Sequence, residues 1–293
     1  MTLELICEGL DFPEGPVAMA DGSVIVCEIR GQRLTRVLPD GRKELVVETG
    51  GGPNGAAIGP DGAIWIANNG GAYFHEADYR GGYIQRFDLN TGALSTVYEG
   101  CEGERLITPN DLVFDRQGGL WFTDYGNATD KARLFGAVYY AAPGASAVSR
   151  QRGQLNSPNG VGLSPDEQTL YVNDTELGRL WAFDVVAPGQ LAPSKALATG
   201  RVVSNSPGLE RLDSLAVEAG GKVCAGTILR SGGGVTVIDP DGTREYIAVP
   251  DPYCTNICFG GADMRDAWVT ASTTGRLYKM RWPRPGLRLN FNA

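Results

Sequence analysis

Residues 109–124 read PNDLVFDRQGGLWFTD, and the same phrase returns as PNGAAIGPDGAIWIAN at 53–68 and PNGVGLSPDEQTLYVND at 158–174. Each copy is a polar anchor, a short apolar run, a turn rich in Gly or Asp, and a second apolar run. Self-similarity at a steady period marks a repeat architecture. Three weaker copies complete the series: FPEGPVAMADGSVIVCE at 12–28 with Glu14 as anchor, LDSLAVEAGGKVCAGT at 212–227 with Asp213, and CTNICFGGADMRDAWVTAS at 254–272 with Asn256. The other anchors are Asn54, Asn110 and Asn159, and successive anchors lie 40 to 56 residues apart. That interval suits a four-stranded antiparallel unit, which takes roughly 40–50 residues.

The remainder of each unit supplies the other two strands. QRLTRVLPDGRKELVVE (32–48), GGYIQRFDLNTGALSTVYE (81–99), GAVYYAAPGASAVSRQ (136–151), GRLWAFDVVAPGQLAPSKALA (178–198) and GGVTVIDPDGTREYIAV (233–249) are short alternating runs joined by turn residues, which is hairpin patterning. The last unit has only GRLYKMRWP (275–283), so LELICEG (3–9) is expected to supply its missing strand and close the ring. Closure removes unpaired strand edges. The expectation is an all-β fold, one six-bladed β-propeller domain spanning 1–293. A β-sandwich is the alternative, and six regular units argue against it.

Composition narrows the function classes. With 26 Lys and Arg against 34 Asp and Glu, the net charge of −8 excludes a phosphate-binding basic surface, so no nucleic-acid partner is expected. No apolar run reaches the length of a membrane span, and the opening MTLELICEGLDFPEGP is acidic where a secretory signal would be basic. Six cysteines without a CxxC pair read as reduced core thiols, consistent with a cytoplasmic location. No GxSxG, Walker or dinucleotide fingerprint is present. The glycine-rich SGGGVTV (231–237) precedes a strand rather than a helix and reads as a turn.

In a propeller the first strand of each blade lines the central channel, so the six anchors should ring one channel mouth. Residues following the second strand should rim the same mouth: Glu28 and Arg30, Asn68 and Asn69, Asp124 and Tyr125, Asn173 and Asp174, Thr227 and Arg230, Ser272 and Thr273. A ring of carboxylate and amide oxygens without His or Cys suits a hard cation, Ca²⁺ first, with Zn²⁺, Mn²⁺ or Mg²⁺ as alternatives. Turn capping is the competing role for any single such anchor. The sole histidine, His75, lies in the long connection GGAYFHEADYRGGY (70–83) near that mouth, as a proton donor on a lid or as a plain surface residue. The segment VVSNSPGLERLD (202–213) is either a further wall of the mouth or a loop.

FPEGP at 12–16, TPND at 108–111, SPNG at 157–160 and LDSLAVE at 212–218, in this order and spacing, resemble the regucalcin–gluconolactonase family, to which diisopropyl fluorophosphatase is related. The resemblance runs from Glu14 through the final unit. It implies a divalent cation at the channel mouth held by Glu14, Asn159 and Asp213. Asn110 would ligate it or touch substrate, and Asp213 would be the general base or nucleophile. The implied reaction is the opening of a lactone or related ester, with Asp213 and Asn110 as catalytic residues. A non-catalytic ligand-binding propeller with structural calcium and a phosphotriesterase-like hydrolase are the alternatives. Sugar-lactone hydrolases of the family often carry an Arg two residues before the asparagine of ND. Thr108 stands there, with Arg105 nearby, a departure that points away from aldonolactones. Thr108, Arg105, Tyr125 and His75 are the expected substrate contacts. Phe12, Tyr73, Phe74 and Tyr125 at the rim suit an apolar or aromatic substrate, or else pack between blades. The expected partner is a small-molecule substrate, and the expected assembly a monomer or small homo-oligomer.

Overall fold

The computed structural model describes residues 2–194 and 199–292. Six antiparallel sheets stand around a central channel. Their inner strands are Pro13–Ala18, Pro53–Ile58, Pro109–Phe114, Pro158–Leu163, Arg211–Val217 and Cys254–Gly260. In each blade the next two strands follow outward in chain order. The ring closes as expected: Leu3–Cys7 pairs with Arg276–Arg281, with Leu3 opposite Met280 and Leu5 opposite Tyr278, so the two ends of the chain share the sixth blade.

Local chemistry sets these hairpins. Second strands such as Val24–Glu28, Ile64–Asn68 and Leu120–Asp124 are rich in β-branched and aromatic residues and fully or mostly buried, as suits a pleated surface packed on both faces. The turns between first and second strands need a left-handed residue, and Gly62 (φ 73°) and Gly118 (φ 86°) supply it without a Cβ clash. Asp61 and Asp115 accept hydrogen bonds from backbone amides two residues on, at 3.2 and 3.0 Å, which tightens the same turns.

One expected strand lies elsewhere. The outer strand of the fourth blade is not within QLAPSKALA but at Arg201–Asn205, pairing with Arg179–Ala187; Gln190–Leu191 forms only a short extra ladder. Residues 195–198 of the expected run lie outside the described residues. The reason is in the pattern: RVVSN offers β-branched neighbours, whereas QLAPS carries a proline that cannot donate to a ladder. The segment beginning at Val202 is therefore first an outer strand and only afterwards a loop toward Asp213.

The apolar core is distributed between blades. Six buried clusters are found, each spanning two neighbouring blades: Val17, Ile25 and Leu34 meet Ile64, Ile66 and Phe87, for example, and Trp121 and Tyr140 meet Leu163, Trp181 and Phe183. The six cysteines are free thiols, five of them buried and Cys258 half-buried. Burial pushes Cys7 up to about 11 and Cys258 up to about 12, so both are packing groups. No helix among the described residues is long and apolar enough to cross a membrane.

After the last strand the chain turns under the ring at the end of the channel remote from the anchors. Leu287 donates its amide to the Val217 carbonyl (2.8 Å), Asn290 its side-chain amide to the Phe114 carbonyl (3.1 Å), and Phe291 packs edge-on against Phe114. The buried Glu218 carboxylate holds this strap. It accepts from Trp282 Nε1 (2.7 Å) and from Arg284 Nε (2.6 Å) and Nη2 (2.9 Å). Removing the guanidinium leaves a carboxylate that is 1% exposed without its counter-charge. Arg284→Ala should therefore lower unfolding free energy by about 3 kcal/mol in a denaturant titration; a change within error would show that the Arg284–Glu218 pair contributes nothing.

Candidate functional site

Every one of the six inner strands is irregular at the same place. The pairing register slips just after Glu14, between Pro53 and Gly55, between Pro109 and Leu112, between Pro158 and Val161, between Leu212 and Leu215, and between Cys254 and Asn256. A β-bulge places an extra residue on one strand and re-aims its side chain. Here the re-aimed residues are Glu14, Asn54, Asn110, Asn159, Asp213 and Thr255, and all six line one open cavity at the channel mouth. Thr255, not Asn256, is thus the sixth member. Its blade begins one residue earlier relative to the bulge than the alignment of CTN with SPN suggests.

Asn256 belongs to a second layer, one residue deeper. Three positions of that layer are Gly15, Gly55 and Gly160, where an added Cβ would lie 2.3 Å from the Asn54 carbonyl oxygen, 2.7 Å from that of Asn110, and 2.5 Å from the Leu215 nitrogen. The inner strands approach so closely that glycine is required at three of the six places. The other three positions hold Asp111, Ser214 and Asn256. Asn256 Nδ2 donates to Glu14 Oε2 (2.8 Å), and Ser214 Oγ donates to Asn159 Oδ1 (3.2 Å).

Asp111 was not among the expected site residues, although PND instead of PNG in its repeat was the available signal. Its carboxylate accepts from the Leu112 amide at 2.8 Å. Burial, and then the nearby Glu14 charge, push Asp111 up to about 8. Burial also raises Glu14 to about 7, against hydrogen bonds from Asn256 and Gly15 that favour its charged form. Asp213 is pushed well above the usual carboxylate range by burial, then by Glu14. Three buried carboxyls thus share one region. The arginine that lines the cavity, Arg211, is paired with Glu176 at 3.0 Å.

This donor set fits a hard cation. Asn110 Oδ1 is buried and makes no hydrogen bond with any of the described residues, a costly state for an amide oxygen. It lines the cavity with Glu14, Asn159 and Asp213. Among the described residues no three His, Cys, Asp or Glu side chains are grouped closely enough to hold a metal by themselves. A cation would need the amide oxygens of Asn110 and Asn159 as well, which is oxygen chemistry of the Ca²⁺ kind rather than the Zn²⁺ kind.

The expected substrate contacts divide. Tyr125 lines the cavity; Thr108, Arg105 and His75 do not. Thr108 is buried, its hydroxyl donating to the Gly126 carbonyl and its amide to Asp124 Oδ1 at 2.8 Å. Arg105 is exposed and reaches the Arg80 carbonyl at 3.3 Å. His75 Nε2 lies 3.0 Å from the Arg30 carbonyl oxygen, tying its loop to the first blade. Most of the expected rim residues turn inward too. Glu28 accepts the Asp11 amide, Asn68 the Gly52 amide, Asp124 the Ile107 and Thr108 amides, and Asp174 the Asn156 and Ser157 amides. These side chains clamp the segments entering the first four inner strands. The residues after them, Tyr125 and Thr175, reach the cavity.

A closed six-bladed ring with an oxygen-lined cavity at one channel mouth defines the class of protein. The chain belongs to the SMP-30/gluconolactonase/LRE-like family, whose model matches residues 12–273. It is similar to a gluconolactonase of Zymomonas mobilis, 27% identical over 284 residues that cover 88% of this chain and 76% of the relative. It is also similar to the lactonase drp35 of Staphylococcus saprophyticus, 32% identical over 197 residues, covering 64% of this chain and 55% of the relative. Among solved structures, a gluconolactonase of Xanthomonas campestris superposes with a TM-score of 0.77 at 27% identity, covering 96% of this chain and 89% of that one. A calcium-binding regucalcin of Agrobacterium tumefaciens shares the fold, with a TM-score of 0.76 at 21% identity over 100% of this chain and 97% of that one.

The raised carboxyls make the metal-free protein sensitive to pH. Folded Glu14 and Asp111 keep protons that the unfolded chain releases near pH 4. Their stabilising contribution is full below about pH 4 and is lost as pH rises through about 7 and 8. Melting of chelated protein should therefore fall between about pH 5 and about pH 9, and Asp111→Asn should flatten that fall. A melting temperature independent of pH in that window would contradict the shared burial of these groups.

Proposed function

We propose that this protein hydrolyses a lactone or related cyclic ester at the channel mouth, using one divalent cation, Ca²⁺ by preference. The observation carrying this reading is the unpartnered Asn110 Oδ1 beside buried Glu14, Asn159 and Asp213 in one open cavity. Membership of the family and the lactonase names of the relatives support it.

Glu14, Asn110, Asn159 and Asp213 would hold the cation, which when bound supplies positive charge to polarise the ester carbonyl. The chain's own residues do the rest. Asp213 lines the cavity, and its carboxylate would accept the proton as a water oxygen forms the new C–O bond with the carbonyl carbon. This buried carboxylate would be kept ionised at neutral pH by the cation beside it, free to take up a proton. Direct attack by the Asp213 carboxylate on the carbonyl carbon, followed by hydrolysis of the resulting anhydride, uses the same placement. The Asn110 amide nitrogen can donate to the oxygen on which charge develops. As the ring C–O bond breaks, the leaving oxygen takes up the proton that Asp213 accepted from the water, and the product is a hydroxy acid. Asn256 orients Glu14 through its 2.8 Å hydrogen bond, and Ser214 orients Asn159.

Purified Asp213→Asn should keep its circular dichroism and lose roughly 10²–10⁴-fold in kcat on any lactone the unaltered protein opens; full activity would reject the assignment. Chelation should abolish hydrolysis with the fold retained, and Ca²⁺ should restore it. Hydrolysis that survives complete chelation would sink the cation-dependent reading.

A further inference from the structure

The wall above the oxygen ring is aromatic. Phe12, Tyr73, Phe74, Tyr125 and Tyr253 all line the cavity. Phe12 lies 5.1 Å from Phe74 and 6.4 Å from Tyr253 between ring centroids, and Tyr73 meets Tyr125 edge-on at 6.3 Å. None of the six interblade clusters contains any of these five residues. They are not blade packing. Tyr73, Phe74 and Tyr253 remain 36–40% exposed, which is unspent apolar surface facing a cavity. Phe12 also has φ of 60°, a left-handed conformation rare for a bulky residue. Such strain persists where the surroundings impose it, and it is concentrated at functional sites. Here it accompanies the Asp11 amide bonded to Glu28 and the Phe12 carbonyl accepting from the Ile29 amide. The Arg30 guanidinium sits 4.5 Å over the Phe74 ring and braces it from outside.

Polar groups of the same wall are mostly engaged. The Thr175 hydroxyl donates to the Leu212 carbonyl (2.8 Å), the Thr255 hydroxyl is shared with Ser272 (2.6 Å), Arg211 pairs with Glu176, and the Tyr125 hydroxyl donates to Glu176 (3.3 Å). A polyol held against this wall would exchange water for aromatic faces, its hydroxyls left with the oxygen ring below and the Tyr73 and Tyr253 hydroxyls, and polar groups left unpaired are costly to bury.

We infer that the substrate is an uncharged lactone bearing an aromatic or flat apolar group, clamped between the Phe12–Phe74–Tyr253 and Tyr73–Tyr125 faces, and not a sugar lactone. This rests on the lactonase reading above and narrows it. Three six-membered lactones provide the test: δ-valerolactone, glucono-1,5-lactone and the benzo-fused dihydrocoumarin, whose phenolic leaving group also makes it intrinsically more reactive. With Ca²⁺ present, and each kcat/KM divided by that lactone's hydroxide-catalysed rate constant, dihydrocoumarin should exceed glucono-1,5-lactone by at least about tenfold. Phe74→Ala, at a partly exposed loop position, should cut the dihydrocoumarin-to-valerolactone ratio by about fivefold or more. Calorimetry should show the opened product 3-(2-hydroxyphenyl)propionate binding more tightly than gluconate. Preference for glucono-1,5-lactone, tighter binding of gluconate, or an unchanged ratio in Phe74→Ala would overturn the aromatic inference and leave the lactonase reading standing. Failure to open any of the three would overturn both.

Discussion

The structure depends on how closely six inner strands crowd one channel. Neighbouring backbones approach until a Cβ at Gly15, Gly55 or Gly160 would overlap main-chain atoms. At that separation a regular pleat cannot present long side chains at successive positions. The bulge at the head of each strand relieves the crowding, turning one residue per blade into the mouth and leaving the next for the layer beneath. The polar ring and the glycines under it are two results of one steric limit.

Burial gives the ring its chemistry. In solvent, Glu14, Asp111 and Asp213 would be three ordinary acids; inside the channel each charge is poorly hydrated, Glu14 further raises Asp111, and Glu14 and Asp111 further raise Asp213. Amides from Asn256 and from the backbone soften this without cancelling it. The outer carboxylates have a different task. Glu28, Asp124 and Asp174 spend their oxygens on main-chain amides, which anchors the segments leading into the bulges. Charge at the mouth is therefore held in place by charge that takes no part in it.

The channel's two ends differ for a related reason. The core lies in wedges between blades, so the channel itself is filled by neither end of the inner strands. At the far end the strap from Trp282 to Phe291, held by Glu218, covers the opening with apolar side chains. At the near end the long connection carrying Tyr73 and Phe74 and the strained Phe12 form a partial wall. The oxygen atoms face the cavity at this near end.

The repeat could be read directly because a blade is a local object: its alternating runs and its Asp- and Gly-bearing turns lie within some fifty residues of one another. Blade count, the closing strand at Leu3–Cys7 and five of the six ring positions followed from it. The fourth blade's outer strand did not, since two neighbouring stretches competed for one edge. Roles that depend on where a side chain turns were also out of reach. Thr108 and His75 sit near the mouth along the chain yet bond elsewhere, and Asn256 and Thr255 exchange layers through a one-residue difference at a bulge. By itself, then, the order of residues determined the ring and the kinds of atom brought to it. Which of those atoms meet, how dry they are and what wall stands over them were decided only when strands distant in sequence closed on one another, because contact and hydration are properties of the assembled ring.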